Sequence, residues 1–252
     1  MSMFQITVSV DGSKSDWLYA IEDMIKTKLE ACNAVSAFNM SGRRLYCGFG
    51  CEAEHKAEML AAVKECIIEM YAVVTKFDYM KRNLQLCLPS QRYEILLHTL
   101  VAFDRENEYK LLRRAVRVED GLALDGLFDF KLHDLKGRWL EICKLTKTNG
   151  AYLHDDDTYN ELLRFLISAV DPKITRLTVC EDGGKYRLTG ALKTGDLDLC
   201  VGDVNELMYC LIDLAPLELI IDGGISNHEL SDRLIGIFDA KTEHRVKNKS
   251  KK

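Results

Sequence analysis

No apolar run in this chain approaches the length a membrane-spanning helix needs. The first residues, MSMFQITVSV, lack the basic stretch followed by an apolar core that marks a secretory signal. The nine cysteines contain no C-x-x-C pair, and most fall inside apolar periodic segments, where a thiol packs as a small hydrophobe. Together these absences predict a reduced, cytoplasmic protein with no membrane association. There is no G-x-S-x-G motif, no cysteine in a recognisable local signature with a histidine, and no low-complexity linker. Prolines number three, at 89, 172 and 216, and each reads as a helix boundary.

What the chain does have is an ordinary core composition, 47% hydrophobic and 29% charged over 252 residues. Its net charge of −5 is uneven. The last stretch, KTEHRVKNKSKK, holds six Lys/Arg against one Glu, a local +5, which leaves −10 for the rest. So acidic a body disfavours general nucleic-acid binding, which needs a positive surface.

Apolar periodicity predicts an α+β fold. Phe4, Ile6, Val8 and Val10 alternate as a half-buried strand, and Trp17, Leu18, Ile21, Ile25, Leu29 and Cys32 recur at helical spacing. Strands at 35–38 and 45–51 flank the turn-forming Asn39-Met40-Ser41-Gly42. A stripe from Met59 to Val74 forms a long helix. Residues 1–77 therefore read as a βαββα unit, and 78–150 as a mainly helical middle region. Residues 151–240 read as an αββαβα unit, with 241–252 as a frayed basic tail. Thr158-x-x-Glu161 and Ser226-x-x-Glu229 read as capping boxes that open two of the helices.

Few segments invite chemistry. Gly183-Gly184-Lys185 lacks the Ser/Thr of a phosphate loop and is followed by an alternating strand, so it reads as a hairpin turn. Asp222-Gly223-Gly224, with Ser226, ends a strand and leads into a helix, a place where α/β sheets hold ligands; it is the candidate nucleotide or anion site. His154-Asp155-Asp156-Asp157 reads as negative charge at a helix start, and Cys47, Cys51 and His55 as a weak zinc pattern short of a fourth ligand. No metal or cofactor is assigned from these. The one distributed signal is basic. Arg105, Lys110, Arg113, Arg114 and Arg117 crowd one segment, with Lys131, Lys136 and Arg138 near in sequence. Of these, Arg113, Arg114, Arg117, Lys131, Lys136 and Arg138 make up the candidate anion or nucleic-acid surface, against the simpler reading of a solvated face paired with acids.

The run YNELLRFLISAVDPKITRLTVCEDGGKYRLTG (159–190), followed by ELMYCLIDLAPLELIIDG (206–223) and preceded by EDGLALDGLFDFKLHDL (119–135), resembles the YtxC-type sporulation proteins of endospore-forming Firmicutes. The resemblance covers about residues 90–240 and rests on element order and a Leu-Ala-Pro helix end. It implies a cytoplasmic protein associated with sporulation and assigns no catalytic residue. The expectation is a non-enzymatic protein acting through contacts with protein partners whose identity the sequence leaves open.

Overall fold

The computed structural model describes residues 3–29, 34–223 and 225–243. Cys32, Gly224 and the basic tail from residue 244 lie outside the described residues. The fold is α+β, with two sheets, and the chain divides into two compact units.

The first unit comprises residues 1–84 and 105–144. Strand β1 (Met3–Asp11) is followed by helix α1 (Ser15–Lys28), strands β2 (Val35–Ser41) and β3 (Arg44–Glu52), and helix α2 (Lys56–Glu69). Alternation puts Ile6, Val8 and Val10 of β1 on the buried face beside Phe49, Cys47 and Leu45 of β3. Trp17, Leu18, Ile21 and Ile25 of α1 are buried. Gly42 turns the β2–β3 hairpin at φ 59°, with Arg43 completing a two-residue loop. A single left-handed glycine in the first loop position is the hairpin turn whose twist matches its strands.

The long helix does not end at 74. It passes through a π-helical stretch, Met70–Thr75, into α3 (Lys76–Leu84). The wider turn presents Met70, Tyr71, Ala72 and then Thr75 and Lys76 to the interior. Helix α4 (Ser90–Ala102) belongs to the second unit, and the chain then returns through α5 (Arg105–Ala115), which packs on α2. The two-residue strand β4 (Leu122–Ala123) pairs parallel with β1 at Val8 and Ser9, followed by α6 (Leu124–Lys131) and α7 (His133–Thr148). The sheet order is β2-β3-β1-β4. Trp17, Tyr71, Phe128 and Trp139 form the aromatic centre. Trp17 stands edge-on to Phe128 at 5.4 Å, and the Tyr71 hydroxyl donates to the Leu124 carbonyl at 2.7 Å.

The second unit comprises residues 85–104 and 145–252. Its described elements after α4 are α8 (Asp156–Ser168), β5 (Ile174–Asp182), β6 (Lys185–Leu192), β7 (Gly195–Val201), α9 (Val204–Leu214), β8 (Glu218–Asp222), α10 (His228–Phe238) and β9 (Lys241–Glu243). The sheet order is β7-β6-β5-β8-β9, antiparallel from β7 to β5 and parallel from β5 to β9. Leu177, Val179, Leu188, Leu219, Ile220 and Ile221 of its strands are buried, as are Leu211 of α9 and Leu234 of α10.

Several expectations change. The middle region, 78–150, is not a unit: α4 packs on α8 and α9 while α5 packs on α2, so its helices are shared between two cores. The boundary at 77 also falls inside α3. The C-terminal order gains β7, an edge strand with Leu199 exposed and Val201 buried, and β9. Residues 241–243 are not frayed tail. They pair with β8, and Lys241 Nζ lies 2.8 Å from Glu218 while Arg176 lies 3.0 Å from Glu243. Both capping boxes are displaced as well. Asp155 caps α8 through Oδ2, accepting from the Thr158 amide at 2.9 Å and its hydroxyl at 2.8 Å. Asn227 caps α10 by accepting from the Leu230 amide at 3.1 Å.

Candidate functional site

The glycine pair at 183–184 closes the β5–β6 hairpin with φ of 59° and 80°, two successive left-handed residues, so it is a turn. At the second pair, Asp222 ends β8 and Gly223 adopts φ 77°. Two of the loop amides there are already engaged. Gly223 donates to the Glu243 carbonyl at 3.0 Å, and Ser226 donates to the Glu181 carboxylate at 2.6 Å. The chain's own carboxylate thus occupies the donor that a phosphate would use at Ser226.

The basic candidates divide. Arg113 reaches the Glu65 carboxylate at 3.3 Å and lies over the Tyr109 ring; Lys136 sits 3.5 Å from Asp129 and 4.9 Å above the Phe128 ring centre. Arg114, Arg117, Lys131 and Arg138 are exposed. Of the acidic run 154–157, Asp155 is a cap whose carboxyl the Thr158 amide and hydroxyl hold below the usual carboxylate range, and Asp156 pairs with Arg92. Cys47 and Cys51 point into the first unit's core, where burial pushes the Cys47 thiol up to about 12. His55 lies 3.0 Å from Glu58. Among the described residues no three His, Cys, Asp or Glu side chains are grouped to hold a metal.

One polar cluster was not anticipated. Lys76, at the start of α3, is fully buried, and its ammonium lies 2.8 Å from Oε1 of the buried Glu108 on α5. The Trp139 indole N–H donates to the same oxygen at 2.8 Å. The π-helical turn just before Lys76 aims it inward. In sequence Lys76 looks like the polar end of an apolar stripe, so spacing alone gives no signal. This cluster lies in closed packing, and its chemistry is that of a buried ion pair joining three helices.

The accessible feature with a consistent character is β2. It forms one edge of the first sheet, and its seven residues, VSAFNMS, carry no charge. Val35 and Met40 are 60% and 57% exposed, and the exposed Phe38 ring meets that of Tyr19 at 5.1 Å. A concavity of about 530 Å³, bordered by Ile25, Lys26 and Leu29, adjoins the strand's start. Another of about 640 Å³, bordered by Gln5, Thr7, Tyr46 and Gly48, adjoins its length. The remaining sheet edges are protected. β4 has two residues, β9 is short and carries Lys241 and Glu243, and β7 carries Asp196 and Asp198, the latter held by Arg187 at 2.8 Å.

The phase of β2 follows from its hairpin. Residues flanking a two-residue loop form a hydrogen-bonded pair, so Ser41–Arg44, Asn39–Tyr46, Ala37–Gly48 and Val35–Gly50 bond inward. The amides and carbonyls of Ser36, Phe38 and Met40 therefore point to the open edge. No protein-family model matches this chain, and no curated protein or solved structure does either.

Proposed function

We propose that this chain is a non-enzymatic cytoplasmic protein that works by binding other protein chains, in the sporulation setting its sequence resembles. The observation that carries this reading is strand β2: a seven-residue edge without a charge, with apolar side chains and a row of outward backbone donors and acceptors. Such an edge is a template for strand addition, in which main-chain hydrogen bonds supply affinity and flanking hollows supply specificity. The concavities beside β2 suit that second task.

The test places a photo-crosslinking residue at Met40 on the edge and, as a control, at Phe130, which is 83% exposed on α6. In sporulating cells of the source organism, protein adducts are expected from position 40 and not from 130. An equal yield at both positions, or none at 40, counts against the reading.

A further inference from the structure

Resting on that reading, we propose that the occupant of the β2 edge is the β2 strand of a second copy of this chain, paired antiparallel across a two-fold axis at Phe38. The outward-facing residues are Ser36, Phe38 and Met40, spaced evenly about Phe38. A two-fold axis there sets Phe38 opposite its own copy and Ser36 opposite Met40 of the other chain. Each pair exchanges both of its backbone bonds, and no outward group within the run is left over. Shifting the register either way leaves outward groups at one end without a counterpart.

The side chains agree with the same axis. In a two-fold strand pair every charge would face a copy of itself or a residue placed symmetrically, so charged edges oppose self-pairing. β2 has none, whereas β7 and β9 do. Phe38 points to the helix-bearing face and meets Tyr19, which is itself 49% exposed. The axis would join this ring pair to its copy, giving a four-ring seam. The four-stranded sheet would continue without a break into its mate.

The test is sedimentation of the full chain. Wild type is expected as a dimer at tens of micromolar, dissociating on dilution. Phe38→Lys and Phe38→Glu should each abolish the dimer, because like charges would meet on the axis. Mixing the two variants in equal amounts should restore it, because Lys would then face Glu. Recovery on mixing also shows that both variants are folded, and circular dichroism of each alone gives a second check. A wild type that stays monomeric overturns the proposal, as does a dimer that survives both substitutions. A dimer lost in both and not restored by mixing overturns the two-fold register. If wild type is monomeric while the Met40 probe still yields adducts with other proteins, self-pairing fails and the edge reading stands; if those adducts are missing too, both fall.

Discussion

Lys76 and Glu108 show how a single residue departs from its sequence neighbourhood. Both are buried, and the pair is shared with the Trp139 indole. Removing one member of a buried pair costs about 3–5 kcal/mol, whereas replacing both with apolar residues is near neutral. Glu108→Leu is therefore expected to destabilise by about 3–5 kcal/mol, and Lys76→Met with Glu108→Leu by much less, measured by urea unfolding. Equal losses in the single and double variants would mean that the ion pair is not the source. The apolar half of the residue pattern was legible: Ile6, Val8, Val10, Trp17, Leu18 and Ile21 are all buried where alternation and helical spacing put them. The polar half was less so. Thr158 and Ser226 looked like caps, but the capping oxygens belong to Asp155, three residues before Thr158, and Asn227, the residue after Ser226. A short carboxylate or amide beside a hydroxyl competes for the same amides, and spacing does not show which of them wins.

At the scale of elements, helix α9 shows a cap that sequence reading passed over. Asp203 Oδ1 accepts from the amides of Asn205 at 2.7 Å and Glu206 at 2.9 Å, while the Glu206 carboxylate accepts from the Gly202 amide at 2.8 Å. Loss of such a cap costs about 1 kcal/mol. Asp203→Ala should lower stability by that amount and Asp203→Asn by little; a neutral Ala variant in chemical denaturation would remove Asp203 from the account. Strand β7 was missed although Leu197, Leu199 and Val201 alternate with Asp196, Asp198 and Cys200, because an edge strand with acids on its outer side resembles a loop. The π-helical turn at 70–75 was invisible for a different reason. A stripe of apolar residues reads the same whether a helix carries an extra residue in one turn or not, and only the inward placement of Lys76 reports it. The β2–β3 and β5–β6 hairpins, by contrast, were legible in their glycines, since Gly42, Gly183 and Gly184 all take the left-handed conformation their turns demand.

At the scale of the whole molecule, the α+β class followed from the mixture of period-two and helical patterns, but the division into units did not. The chain leaves the first unit after Leu84, contributes α4 to the second, and returns at Arg105 before crossing again near Lys144. Local pattern reports which face of a helix is apolar, not which core receives it, so the helices between 78 and 150 looked like one region. The candidate site was hidden in the same way. Val35 to Ser41 reads as an ordinary strand, and only the sheet order makes it an open edge. The proposed function depends on that edge and on the phase of its backbone groups. Amide hydrogen exchange resolved to single residues tests this most directly. In dilute protein the amides of Ala37 and Asn39, bonded to β3, should be protected while those of Ser36, Phe38 and Met40 exchange freely; raising the concentration into the dimer range should protect the latter three. Exchange at 36, 38 and 40 that does not change with concentration would contradict it.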